Sequence, residues 1–219
     1  HGDKQLAWLE DDLEQHEDAR WTLVFLHKPL WTYSERATAA GNEDRTNWKR
    51  AEAMLAGRSH TIFAGHVHHY VQYQRNGQQY YSLATTGGGS RLRGLPYGEF
   101  DHITWLTMEQ DGPRVVNLLL DGIQPADIVT EKSIERFREY LQQVRIEIDP
   151  IFISGDELRQ GEIRLTIRNE FETPVSFDAV INGLPLVGLD MKSQSIQLEV
   201  DAGATVRQVV PFQMKEPVD

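Results

Sequence analysis

The apolar positions in the first half of the chain follow two periods, one typical of helices and one typical of strands. Residues 4–15 carry leucines every three or four positions among polar side chains, which predicts an amphipathic helix. Two short apolar runs end at His27 and just before Gly65, and each predicts a strand. A second helix is expected over 47–56, and the polar residues 32–46 before it are expected to form a long loop. Helices that alternate with strands predict an α/β fold.

Period-two alternation then predicts two hairpins. The first joins 70–75 to 78–84 through Asn76-Gly77, a pair that suits a type I′ turn because both central residues need a positive φ. The second joins 102–108 to 115–120 through a polar turn that contains glycine and proline. We expect these strands to complete a sheet.

The pattern changes after residue 125, and the change predicts two domains. Residues 126–144 include a charged helical segment that is expected to connect two bodies, and 145–219 contains short runs with one apolar face. Regular short strands of this kind predict a small all-β sandwich, which resembles immunoglobulin-like modules in its general pattern. We therefore divide the chain into a domain at 1–125, a connector at 126–144 and a β-sandwich module at 145–219. Turns are expected between the strands at 154–156, 182–183 and 201–203.

The charge and composition of the sequence argue against several classes of function. The net charge is −11 and no basic stripe stands out, which argues against a protein that grips duplex nucleic acid through its phosphates. No apolar run approaches the roughly 18 residues that span a bilayer, so no membrane span is expected. The sequence has no cysteine, which excludes disulfides, thiolate metal ligands and cysteine nucleophiles from it.

Three histidines stand where the two apolar runs end. His66 and His68 follow the second run, and we expect them side by side because residues two positions apart share a face in extended backbone. His27 follows the first run, where Pro29 is expected to end the strand. Imidazole is a common metal ligand, although histidines also pair in cores and at surfaces, and a capping histidine is the alternative for His27. Two strands that both end at histidine favour a shared metal site.

The order of four segments resembles the later part of the catalytic domain of calcineurin-like metallophosphoesterases. The resemblance covers about residues 3–123. It implies part of an αββα metallophosphoesterase sandwich, in which His27 and His66 bind one metal ion and His68 binds its neighbour. The segments are Gln5-Leu6-Ala7-Trp8-Leu9, His27-Lys28-Pro29, Gly65-His66-Val67-His68 and the glycine-rich Thr85-Thr86-Gly87-Gly88-Gly89-Ser90.

The upstream segments of that family are not present in this sequence. They are Asp-x-His, a Gly-Asp with the bridging aspartate, and Gly-Asn-His-Asp/Glu. Gly2-Asp3 is a Gly-Asp pair, but it leads directly into the predicted helix rather than into a strand, so we interpret it as a chance match. In the family the upstream segments supply further ligands and the histidine that is expected to protonate the leaving group. We therefore expect this chain to be part of a longer enzyme and to be inactive or weakly active by itself.

The implied chemistry is hydrolysis of a phosphate ester substrate at two metal ions. Two ions about 3.5–4 Å apart lower the pKa of a bound water and clamp the attacking and leaving oxygens. Imidazole ligands suit divalent or trivalent transition metals, here Mn, Zn or Fe, and do not choose among them. Each histidine ligand is also expected to donate its other ring N–H to a carbonyl or a carboxylate.

The glycine-rich segment leads into two candidate contacts for the substrate anion, Arg91 and Arg93. Two solvated surface arginines are the alternative. The segment lacks the lysine and the spacing of a nucleotide-binding P-loop, so its glycines are expected to let the backbone pass close to the metal pocket. Three histidines are not assigned to the site: His69 is expected on the opposite face from His66 and His68, and those at 60 and 102 have no partner motif.

Two functions remain open at this point. The first is a metal-dependent phosphoric ester hydrolase, and the second is a non-catalytic binding or adhesion protein whose β-sandwich carries recognition. The β-module favours an exported or periplasmic bacterial protein, because hydrolases that resemble this one often carry such a module; a cysteine-free chain also fits the cytoplasm. A homodimer through exposed sheet edges is expected if the catalytic part stands alone.

Overall fold

The computed structural model of the chain describes residues 2–151, 158–182 and 191–218. Over these ranges the protein is a mixed α/β structure, with four helices and twelve strands arranged in several sheets. Backbone contacts divide it into two units, His1–Glu135 and Arg136–Asp219. None of the described helices combines the length and the apolar composition that a membrane crossing requires. The turns expected at 154–156 and at Gly183 lie outside the described residues.

The first unit contains a four-stranded sheet. Its strands are β1 (Thr22–Leu26), β2 (His60–Ala64), β3 (Val71–Arg75) and β4 (Gln78–Ser82). They lie in the order β1-β2-β4-β3; β1 pairs with β2 and β2 with β4 in parallel, whereas β3 and β4 form an antiparallel hairpin. β2 is buried at all five positions, because it has a strand on each side and both of its faces are covered.

Three helices cover one face of this sheet. They are α1 (Asp3–Gln15), α2 (Leu30–Ala39) and α3 (Trp48–Leu55). The buried side chains of Leu6, Trp31 and Leu55, one from each helix, belong to the same core cluster as Ile62 and Tyr80 of the sheet. The predicted helices over 4–15 and 47–56 are therefore confirmed, with ends that differ by one residue.

α2 was not expected, because residues 32–46 were predicted to form a loop. The first part of that range is helical, whereas residues 40–46 form no helix or strand. Leu30, Trp31 and Ser34 are the buried residues of α2, so a narrow face of the helix meets the core while the rest is more exposed. The loop prediction was wrong because this face is short and is surrounded by polar residues, so no clear helical period appears in the sequence.

The other face of the four-stranded sheet packs against a second sheet. Its strands are β5 (Ile103–Glu109), β6 (Gly112–Leu119) and β7 (Gly122–Pro125), all antiparallel. The predicted β5–β6 hairpin is confirmed, and β7 pairs with β6 to complete a sheet of three strands. Val115 of β6 belongs to the same core cluster as Phe63 and Tyr81 of the first sheet, so the two sheets meet face to face.

The turn between β3 and β4 adopts the backbone that its sequence demands. Asn76 has a φ of 50° and Gly77 a φ of 78°, and the strands pair from Arg75 with Gln78 onward. Positive φ at both central residues is the requirement of a type I′ turn. The predicted hairpin is confirmed.

The second unit contains five strands within its described residues, in agreement with the short alternating runs over 145–219. α4 (Glu131–Gln143) occupies most of the predicted connector and begins in the first unit. Leu165 and Phe212 of one sheet share a core with Ile196 of the other, so side chains of both sheets meet. The strands β8 (Val144–Ile148), β9 (Leu158–Asn169) and β12 (Thr205–Val218) form one antiparallel sheet, and β10 (Val175–Ile181) and β11 (Gln194–Val200) form another.

Two outer strands of the first unit carry exposed apolar side chains. β1 is the last strand on its side of the four-stranded sheet, and Phe25 is 71% exposed. β5 is an outer strand of the second sheet, and Ile103 and Trp105 are each 59% exposed. Edges of this kind favour association, and the homodimer expected from the sequence stays a prediction.

Substitution of Gly98 and of Gly41 tests how tightly the backbone around Tyr70, the residue after His69, is packed. Gly98 and Gly41 have similar left-handed φ angles of 66° and 69°, but a Cβ at Gly98 would overlap the Tyr70 carbonyl oxygen, whereas one at Gly41 would meet nothing within 4 Å. Gly41→Ala should lower the free energy of unfolding by about 1–2 kcal/mol through backbone strain alone. Gly98→Ala should lose about 1–3 kcal/mol more, because of the added steric overlap.

Urea unfolding of the two variants measures the difference between them. Equal losses would mean that the backbone around Tyr70 yields freely, contrary to the packing described here.

Candidate functional site

The two predicted strand-end histidines His27 and His66 meet at one edge of the parallel sheet. β1 and β2 are in register, with Leu26 opposite Ala64, so both strands end at the same edge. The Gly65 backbone N–H donates to the His27 carbonyl oxygen at 3.1 Å, which ties the two chain ends together. His27 Nε2 lies 2.9 Å from His66 Nδ1, and the two exposed rings meet edge to face with centroids 4.7 Å apart.

The backbone that presents His66 and His68 is not extended, so the argument that placed them side by side was wrong. β2 ends at Ala64, and His66 and His68 have φ angles of 71° and 56°, in the left-handed region that non-glycine residues rarely adopt. The Val67 N–H donates to the Gly65 carbonyl oxygen at 2.8 Å, which closes a tight turn around His66. Strained backbone of this kind is concentrated at functional sites.

His68 faces the glycine-rich loop rather than the His27–His66 pair. Its Nδ1–H donates to the Gly89 carbonyl oxygen at 2.5 Å. With the proton on Nδ1, the lone pair of Nε2 stays available to an ion, which is the arrangement expected for a histidine ligand. Within 2–151, 158–182 and 191–218, no group of three or more His, Asp or Glu side chains is placed to hold a metal ion.

An aspartate that sequence reasoning missed anchors the glycine-rich loop. The Asp101 carboxylate accepts hydrogen bonds from the Thr85 hydroxyl at 2.6 Å and from the Gly87 N–H at 2.9 Å. These hydrogen bonds, the first of them foremost, hold the pKa of Asp101 below its ordinary value. The loop is also tight, since a Cβ at Gly88 would lie 3.2 Å from Thr85 Cγ2. The close backbone passage expected of this loop is therefore present beside His68.

His102 supports the base of this loop from the core. It is buried, and its Nδ1–H donates to the Asn117 side-chain oxygen at 2.9 Å. Its Nε2 accepts the Ala84 backbone N–H at 3.2 Å, so the two hydrogen bonds together require the neutral ring. Burial lowers the pKa of His102, in agreement with this protonation state.

A cavity of about 490 Å³ opens between the His66–His69 turn and the segment after the glycine-rich loop. The predicted anion contacts Arg91 and Arg93 both line it, as does Glu99, a buried carboxylate that the sequence did not single out. His27 is not among the lining residues, which are His66, Val67, His68, His69, Gly89, Ser90, Arg91, Arg93 and Glu99.

The remaining histidines of the first unit have other roles. His60 is buried, with Nδ1 2.9 Å from the Arg58 carbonyl oxygen and Nε2 3.3 Å from the Tyr80 hydroxyl. His16 is exposed at the end of α1.

The expectation that His69 faces away from His66 and His68 was wrong, because the left-handed backbone at those residues breaks the alternation. His69 lines the same cavity, where its Nε2 is 3.0 Å from Glu99 Oε1.

We compared the chain with family models, with curated proteins and with solved structures, and found no match.

The neutral ring of His102 predicts a loss of stability in acid. A folded-state pKa below the unfolded value of about 6.5 means that the unfolded chain takes up this proton first as the pH falls. The neutral His102 ring therefore contributes its full share of the free energy of unfolding above about pH 6.5. Below that pH this contribution declines, by at most about 1.4 kcal/mol per pH unit, until the folded-state pKa is passed. Urea unfolding at about pH 8 and about pH 5 should give a smaller acid-induced loss for His102→Gln than for the unchanged chain.

His16→Gln is the matched control, because it removes an exposed histidine and should leave the acid-induced loss unchanged. The same loss in the His102→Gln variant and the unchanged chain would contradict a neutral, buried His102.

Proposed function

We propose that this chain is part of a metal-dependent phosphate ester hydrolase of the calcineurin-like metallophosphoesterase type. The observation that carries the proposal is the pair of imidazole nitrogens, His27 Nε2 and His66 Nδ1, 2.9 Å apart at the carboxyl ends of two parallel strands. Ligands commonly bind outside the carboxyl ends of such strands. A histidine pair at that edge suits an ion more than it suits core packing, because both rings are exposed.

The arrangement of layers in the first unit supports the same family. Three helices lie on one face of the four-stranded sheet and a second sheet lies on the other. These three layers agree with part of the four-layered αββα sandwich that the resemblance implies. The second unit, with two antiparallel sheets that share a core, agrees with an immunoglobulin-like module.

The histidines present fit transition-metal ions. Zinc lies about 2.0–2.1 Å from an imidazole nitrogen, so two nitrogens that share an ion are at most about 4.2 Å apart. The His27–His66 separation of 2.9 Å meets this limit. Desolvation and the positive charge of Lys28 lower the pKa of His66, which favours the neutral ring that binds metals.

In the proposed site His27 and His66 hold one ion and His68 Nε2 serves a second, with Mn, Zn or Fe as the candidate metals. Such ions supply a hydroxide nucleophile at neutral pH and neutralise the phosphoryl oxygens. The chain itself orients the ligands: the Gly89 carbonyl oxygen fixes the proton of His68 on Nδ1, and Asp101 holds the loop that carries this carbonyl. A guanidinium on the cavity wall binds the substrate anion.

Removal of either paired histidine should weaken the binding of one metal ion. Zinc binding to metal-free protein is measured by calorimetry at about pH 7, for the unchanged chain, His27→Ala and His66→Ala. Each variant should lose more than the roughly 10–100-fold in affinity that loss of an outer hydrogen-bond partner costs, because a ligand itself is gone.

His16→Ala is the matched control and should bind zinc within about twofold of the unchanged chain, because a single exposed imidazole is a weak site. If His66→Ala binds zinc with the same affinity as the unchanged chain, the proposed metal site is wrong, and the alternative of a non-catalytic binding protein is favoured. Binding, rather than turnover, is the readout because the residues that complete the proposed active site are not part of this sequence.

A further inference from the structure

Two arginines from one short segment reach the cavity wall beside the candidate metal ligands. Arg91 and Arg93 both line the cavity, together with Glu99. Two free guanidinium groups would attract a phosphate strongly, so the partners of each arginine decide how much positive charge the cavity presents.

Arg93 is held by partners within its own segment. Its Nε donates to Glu99 Oε2 at 2.8 Å and its Nη2 to Glu99 Oε1 at 2.5 Å, a two-point pairing of guanidinium and carboxylate. Its guanidinium carbon also lies 4.0 Å from the centre of the Tyr97 ring. The carboxylate of Glu99 compensates the charge of Arg93, so this pair attracts an anion less than a free guanidinium does.

Glu99 is placed to keep this pairing. It is 4% exposed, its carboxylate also accepts the Arg93 backbone N–H at 3.4 Å, and Oε1 lies 3.0 Å from His69 Nε2. Hydrogen bonding to the Arg93 guanidinium is the largest effect on the pKa of Glu99 and lowers it to about 2. The carboxylate is therefore charged at any ordinary pH and cancels one positive charge of the wall.

Arg91 differs from Arg93 in its partners, although both side chains are exposed. Arg91 has no hydrogen-bond, ion-pair or ring partner among residues 2–151, 158–182 and 191–218. The two arginines and Glu99 together leave one positive charge at the cavity, and that charge resides on Arg91.

We propose that Glu99 sets the anion affinity of this cavity by holding Arg93 neutralised, and that Arg91 is the guanidinium that binds the phosphoryl group of the substrate. This inference rests on the proposed function, since the anion it names is the substrate's phosphate. It assigns different roles to Arg91 and Arg93, which the sequence did not distinguish. It also gives the buried Glu99 carboxylate an effect on ligand affinity, in addition to its pairing with Arg93.

The test measures binding of inorganic phosphate to the metal-free chain in a chelator, by NMR titration at low salt and about pH 8, where unperturbed histidines are neutral. Glu99→Gln should bind phosphate about fivefold more tightly, because it keeps the shape of the side chain and releases one unit charge about 4 Å from the anion. Arg91→Gln should bind about fivefold or more weakly for the same reason. The double variant Arg93→Gln with Glu99→Gln removes both members of the pair and should stay within about twofold of the unchanged chain.

Two further variants separate the local effect from net charge. Glu109 pairs with Arg114 at 3.0 Å, and neither residue lines the cavity. Glu109→Gln raises the net charge by as much as Glu99→Gln does and should leave phosphate affinity unchanged. Arg114→Gln likewise matches Arg91→Gln and should have no effect.

Unchanged or weaker phosphate binding by a folded Glu99→Gln chain would overturn the proposal, as would full affinity in Arg91→Gln. If Glu99→Gln does not fold, the comparison of Arg91→Gln with Arg114→Gln decides the role of Arg91, and the double variant decides the role of the pair. Because metal is excluded, failure of the metal site and failure of this anion site give different results: the first appears only in zinc binding to His66→Ala, the second only in these phosphate affinities.

Discussion

The parallel pairing of β1 with β2 is the constraint on which the candidate site depends. The register that sets Leu26 opposite Ala64 ends both strands at one edge of the sheet, and the hydrogen bond from Gly65 to the His27 carbonyl extends that pairing by one step. Parallel strands need a long connection, which α2 and α3 supply while they cover the sheet. A slip of one residue would exchange the two covered faces of β2, so that Ile62 and Phe63 would each enter the wrong core cluster. It would also separate the two imidazoles, so the core and the histidine pair are specified together.

Further hydrogen bonds hold the two segments that lie near the His27–His66 pair. Asp101 organises the glycine-rich loop through a hydroxyl and a backbone N–H, and Glu99 holds the arginine segment through Arg93. Both acids lie within three residues of His102, which is itself locked to Asn117 in the second sheet. The side chains of Glu99, Asp101 and His102 are thus all hydrogen-bonded. These hydrogen bonds fix the loops beside the exposed histidines and hold the open site in one arrangement.

Much of the fold follows from local pattern. The leucine spacing of α1, the Asn-Gly turn between β3 and β4, and the alternating runs of the second unit each produce the element they predict, because those signals act over a few residues. α2 escaped prediction because its buried face is only Leu30, Trp31 and Ser34, and the core against which it packs comes from distant segments. The placement of β5 and β6 in a separate sheet escaped prediction for a related reason: alternation identifies a strand but does not choose its partner.

The sequence by itself determined which residues could carry the chemistry. Histidines that follow two apolar strands, and arginines that follow a run of glycines, are visible in the order of residues, and their resemblance to metallophosphoesterases rests on that order. Only the tertiary structure decided which of these side chains lie close together and which are already paired with another residue. His27 and His66 converge through sheet register, His68 turns to Gly89 through left-handed backbone, and Arg93 is neutralised by Glu99. Each outcome depends on distances between groups that are separated along the chain, and residue spacing does not encode such distances until the backbone is folded.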